Sequence, residues 1–93
     1  MKYRSRTEIA AQILEAADGG ATKTRIMYKA FLSYAQLKEY LTVLLENELL
    51  TLDQKTQTYR TTDKGQKFLK IYTQIGEFMT SDLENDTPKP RVK

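Results

Sequence analysis

From Thr22 to Lys38 the chain carries four cations, Lys23, Arg25, Lys29 and Lys38, and no carboxylate. A run of that kind is suited to holding phosphates, which fixes position without reading sequence. Ser33, Tyr34 and Gln36 lie within it, and their hydroxyl and amide groups suit base edges; glutamine can bond adenine through two atoms at once. Farther on, Lys55 and Arg60 are the cations of a polar segment rich in neutral donors. The opening residues Lys2, Arg4 and Arg6 are also free of acids, and suit either an arm along a phosphate backbone or a frayed terminus. The competing reading of all these residues is an ordinary solvated face, and Glu39 favours it, since phosphates repel a carboxylate.

Other chemistries lack their residues. The 93-residue sequence has no cysteine and no histidine, so a thiolate nucleophile, a disulfide, a Cys/His zinc site and a Ser-His-Asp triad are all excluded. Glu46 and Glu48 stand two apart and point to different helix faces. Gly19-Gly20 has no companion Lys and Ser/Thr of a phosphate-binding loop. The expectation is a non-enzyme with no cofactor, no metal site and no small-molecule substrate. No apolar run nears the ~20 residues that cross a bilayer, and the N-terminus lacks the apolar core of a signal peptide, so no membrane partner and a cytoplasmic location are expected.

The elements that must position the cations follow from periodicity. Ile9, Ile13 and Leu14 predict a first helix from Ser5 or Thr7 to about Ala17, stopped by Asp18-Gly19-Gly20. Thr22 or Thr24 can cap a short second helix through Ala30, with Ile26 and Met27 inward. Phe31-Leu32 then reads as an apolar turn and Ser33 as the N-cap of a third helix. That helix carries Leu37, Leu41, Leu44 and Leu45 on one face, with Tyr40 at the edge of the stripe. Alternation at Leu50 and Leu52, and again at Tyr59 and Thr61, predicts a β-hairpin with its loop at Asp53 to Gln57. A last helix runs from Thr62 or Asp63 to about Leu83. Its residues Phe68, Tyr72, Ile75 and Met79 are spaced as a heptad seam, which Phe78 and Leu83 extend.

Three short helices followed by a hairpin is the order of a winged helix-turn-helix, whose third helix enters the major groove of DNA. The fold class expected is mainly α with a β-hairpin, plus a long C-terminal helix. Thr24 to Leu50, TRIMYKAFLSYAQLKEYLTVLLENELL, followed by Tyr59 to Leu69, YRTTDKGQKFL, resembles the small archaeal winged-helix DNA-binding proteins, a group with chromatin-associated and regulator-like members. The resemblance covers about residues 5 to 80. It departs at Glu48, where winged-helix proteins usually carry glycine, and in a shorter C-terminal seam.

That resemblance implies a winged helix-turn-helix over residues 1–62 and a dimerisation helix over 63–84 forming an antiparallel coiled coil; the end of the chain, with Pro88 and Pro90 among charged residues, reads by composition as a disordered tail over 85–93. The implied partners are double-stranded DNA and a second copy of the chain, met through Phe68, Tyr72, Ile75, Phe78, Met79 and Leu83. The role implied is transcriptional regulation or chromatin architecture in the nucleoid. The alternative is a winged helix that docks on a protein of the transcription machinery. Independently of the resemblance, so short a chain hides only about 60–65% of its unfolded surface, so an apolar face left over from the core favours a partner.

Overall fold

The structure, a computed structural model, describes residues 4–84. In chain order the elements are α1 (Arg6–Ala16), β1 (Ala21–Thr22), α2 (Lys23–Ala30), α3 (Tyr34–Glu46), β2 (Leu50–Asp53), β3 (Thr58–Thr61) and α4 (Asp63–Glu84). The fold is mainly helical with a small antiparallel sheet, as expected. The expected tail over 85–93 lies outside the described residues.

Each of the first three helices starts at the hydroxyl residue that the sequence offers. Ser5 Oγ accepts the amide of Glu8 at 3.0 Å, and Thr22 Oγ1 accepts that of Arg25 at 3.3 Å. At α3 the cap is reciprocal: Ser33 Oγ accepts from Gln36 N at 3.2 Å, while Gln36 Oε1 accepts from Ser33 N at 3.1 Å. Such caps satisfy amides that have no intrahelical acceptor, each worth about 1 kcal/mol.

The helices pack through the predicted stripes. Ile13, Leu14, Ile26 and Leu37 are the largest fully buried side chains, and Tyr40, Leu41, Leu44, Leu50 and Tyr59 complete the centre. Burying each such aliphatic side chain contributes about 1.5–3 kcal/mol. Met27 and Leu45 are only half-buried at the margin.

The hairpin is as expected, with Leu50 opposite Thr61 and Asp53 opposite Thr58, but a third strand joins it. β1 pairs with β3 through Ala21 and Tyr59, giving the order β1-β3-β2. Two residues are too few to show alternation, which is why the sequence did not announce β1. Thr61 ties the sheet to α1, its buried hydroxyl donating to Leu14 O at 2.6 Å.

Helix α4 is stitched to the end of α3. Thr62 Oγ1 accepts from Gly65 N at 3.0 Å and donates to Glu48 O at 2.6 Å, and Lys64 Nζ donates to Asn47 O at 2.8 Å. Phe68 and Leu69 then pack partly against the core. Beyond them the apolar residues Ile71, Ile75 and Phe78 are exposed, Phe78 to 88%.

Candidate nucleic-acid interface

The starts of α2 and α3 meet around one ring. Lys23 is the first residue of α2 and Tyr34 the first of α3, with Lys38 one turn later. Lys23 Nζ lies 5.3 Å from the centroid of the Tyr34 ring and Lys38 Nζ lies 5.9 Å from it. Attraction between an ammonium and the ring face holds both lysines, at about 0.5–1 kcal/mol each where solvent has access. The first backbone N–H groups of α3, at Tyr34 and Ala35, have no intrahelical acceptor, and the helix dipole adds partial positive charge there. The ammonium groups of half-buried Lys23 and exposed Lys38 thus lie about one exposed ring at the start of α3, an arrangement of the kind suited to an anion.

The other candidates are distributed around this spot. Ser33 is exposed immediately before Tyr34, and Arg25 is exposed two residues beyond Lys23, about 200° around α2. Gln36 is exposed as well, but its Oε1 already accepts the Ser33 amide, so the two-atom contact with adenine requires that cap to open. Lys29 is six residues beyond Lys23, about 240° around α2, and lines a cleft with Gln12, Glu15, Ala16 and Phe31 instead. Lys55 stands exposed in the hairpin loop, where its amide donates to Asp53 Oδ1 at 3.0 Å. Arg60 is exposed on β3 and donates from one guanidinium nitrogen to Gly19 O at 2.9 Å.

Of the proposed N-terminal arm, Arg4 is engaged in the fold, and the expectation is corrected for it; Arg6 stays exposed while resting on a ring of the fold. Arg4 donates to Gln12 Oε1 and to the carbonyls of Ala30 and Phe31, the last at 2.9 Å, so it places a positive charge on the C-terminal end of α2. Arg6 sits over the Tyr40 ring at 5.0 Å from its centroid. Lys2 lies outside the described residues. Contacts that span 26 residues of sequence, as Arg4 to Ala30 does, leave no local signal that a reading by periodicity can detect.

The turn between α2 and α3 differs from the expected apolar link. Leu32 is buried, but Phe31 has φ 54° and is 82% exposed. It occupies the left-handed position that ends a helix, with Leu32 N bonding Met27 O and Phe31 N bonding Tyr28 O.

Along α4, the seam residues Phe68 and Tyr72 are half-buried with parallel rings 6.5 Å apart, whereas Ile75 and Phe78 are exposed. The Met79 and Leu83 side chains lie outside the described residues. Ile71, exposed to 55%, belongs to the same apolar surface. No group of three carboxylates among the described residues converges as a metal site would require, and no helix among them is long and apolar enough to cross a membrane.

The family model described as winged helix-turn-helix matches residues 3–80. Among solved structures, the chain is similar to Sso10a-2, described as a DNA-binding protein from Sulfolobus solfataricus, with a TM-score of 0.73 and 24% identity over 97% of this chain and 100% of that one. At that identity the likeness shows the fold. No curated protein matches the sequence significantly.

Proposed function

The chain belongs to the winged helix-turn-helix family, and on that premise we propose that it binds double-stranded DNA as a homodimer, with α3 in the major groove. The convergence of Lys23, Lys38 and the α3 N-terminus on Tyr34 carries this reading. Lys23, Arg25 and Lys38 contact phosphates, and Ser33, Tyr34 and Gln36 face the groove. Lys55 and Arg60 serve the hairpin, with one donor of Arg60 already taken by Gly19. The similarity to a structure described as that of a DNA-binding protein supports the same reading.

The second copy is met through α4, which makes residues 1–62 the DNA-binding unit and 63–84 the dimerisation helix. Support comes from Ile71, Ile75 and Phe78, apolar and solvent-facing along one helix. Contiguous exposed apolar surface of that kind marks an interaction site. A dimer presents two α3 helices, as a transcriptional regulator or an architectural protein of the nucleoid requires.

The test is a titration of random-sequence duplex across salt concentration. If about five phosphates are neutralised per subunit, log affinity falls against log salt with a slope of about −4 to −5. Tighter binding to particular sequences than to random duplex assigns a regulator, and equal binding an architectural protein. Absence of binding at low ionic strength overturns the reading in favour of docking on a protein through α3, where the exposed Glu39 is better placed.

A further inference from the structure

Two rings near the basic segment have no partner ring or cation among the described residues: Phe31, and Tyr28, which is 70% exposed. Tyr28 lies in the last turn of α2, and its carbonyl accepts the amide of Phe31 at 3.3 Å, which sets the two backbones side by side at the end of that helix. The backbone of Phe31 holds the left-handed conformation that favours glycine or asparagine, and Arg4 bonds the carbonyls of Ala30 and Phe31 that flank the Phe31 Cα. A large apolar side chain is thus projected into water from a rigid, unfavourable backbone position, and strain of this kind concentrates at functional positions.

Beside Phe31 lies an open cleft of about 290 Å³, lined also by Lys29 and by Gln12, Glu15 and Ala16 of α1. Its parts match those of a nucleotide. Phe31 offers a face for stacking, Lys29 a charge for phosphate, and Glu15 an acceptor for the amino group of a base. A duplex hides the faces of its bases, so a site built on stacking takes unpaired ones. We propose that Tyr28, Lys29, Phe31 and the adjoining α1 cleft bind single-stranded DNA, with bases stacked on the two rings and Lys29 on the phosphate chain. Glu15 repels phosphate, so a base edge rather than the backbone faces α1. Amino-bearing adenine and cytosine are preferred there over thymine. The site goes beyond the duplex interface, which is centred on Tyr34, and does not depend on it.

The test is fluorescence anisotropy with the full chain and three labelled probes of about 20 nucleotides: an alternating adenine-cytosine strand, an all-thymine strand and a random-sequence duplex. The adenine-cytosine strand is expected to bind more tightly than the thymine strand. Phe31→Gly and Tyr28→Ala are each expected to weaken single-strand binding roughly 5- to 150-fold, the range for loss of one stacked base, and to leave duplex affinity within about twofold. Phe31→Gly should melt no lower than the parent, because glycine adopts this conformation freely, so its loss of binding cannot be ascribed to unfolding. No single-strand binding, equal losses on strand and duplex, or a change in solution mass with single-strand affinity intact would each overturn the proposal. Loss of duplex binding alone overturns the duplex reading and leaves this one standing.

Discussion

Lys23 and Tyr34, eleven residues apart in sequence, bring the starts of α2 and α3 together, with the ammonium 5.3 Å from the ring centroid. The ring also receives Lys38, so one side chain positions two charges that would otherwise sweep through solvent. Replacing Tyr34 by leucine removes the π face while keeping an apolar side chain. Duplex affinity is expected to fall by about 0.5–2 kcal/mol, and the effects of Tyr34→Leu and Lys23→Ala to be less than additive by about 0.5–1 kcal/mol. Tyr34→Phe should retain most of the affinity. A double-mutant cycle measured by duplex titration checks this, and strict additivity would show that the ring does not organise the lysine.

Arg4 distinguishes a structural cation from a DNA-binding one. Its guanidinium meets Gln12 and the carbonyls at the end of α2, a favourable place for positive charge at a helix C-terminus. Arg4→Ala should lower stability by about 1–2 kcal/mol, read as a lower denaturant midpoint. The salt slope of duplex binding should stay unchanged. A slope reduced by about one unit with unaltered stability would restore the arm along DNA.

Glu48 tests the turn between α3 and the hairpin. Its φ is 62°, and the hydrogen bonds from Glu48 N to Leu45 O and from Leu49 N to Leu44 O close a helix end that normally carries glycine. The departure from the family pattern is therefore one of residue type, with the left-handed turn retained. Glu48→Gly should stabilise by about 0.5–1 kcal/mol, after the entropy lost on ordering glycine is subtracted from the relieved strain. That corresponds to a melting temperature roughly 2–8 °C higher.

The legible parts of this fold are those whose causes are local. Ser5, Thr22, Ser33 and Thr62 each announce a helix start because a cap acts over three residues, and the spacing of Leu37, Leu41 and Leu44 fixes which face of α3 is buried. Phe31 and Leu32 are adjacent and both apolar, yet one is exposed and the other buried. A left-handed residue breaks the rotation by which side-chain direction is inferred, so the pattern could not separate them. Gln36 shows a different limit. Its type suits both a capping box and an adenine contact, and only the folded geometry commits its Oε1 to Ser33. Arg60 likewise reads as a free cation until β1 brings Gly19 beside it.

Gly65 is required where α4 crosses the end of the α3 loop. A Cβ there would stand 2.4 Å from the backbone oxygen of Leu49 and 2.6 Å from Thr61 Cγ2. Neither neighbour can yield easily, because Leu49 O accepts from Thr62 N at 3.1 Å and the Thr61 side chain is anchored to Leu14. Gly65→Ala gains helix propensity of about 1 kcal/mol but should lose about 1–3 kcal/mol or more to overpacking. Thermal unfolding is expected to show net destabilisation, the reverse of the usual result for such a change inside a helix.

The dimer proposal turns on the second half of α4. Its first turns are held by Thr62 and Lys64 and covered by the core at Phe68 and Leu69, so they fold without a partner. Ile71, Ile75 and Phe78 receive no such cover. If they meet a second copy, replacing Ile75 and Phe78 together by glutamate sets charges against an apolar seam and should yield a monomer by light scattering. Helicity of the winged part should persist, because Ile13, Leu14, Ile26 and Leu37 do not depend on that half of α4 for burial. Duplex affinity should then weaken by more than the small loss expected from added negative charge, since two linked α3 helices raise each other's effective concentration at adjacent half-sites. A parent protein that is already monomeric at micromolar concentration would refute the dimer, and would leave the contacts around Tyr34 to bind DNA singly.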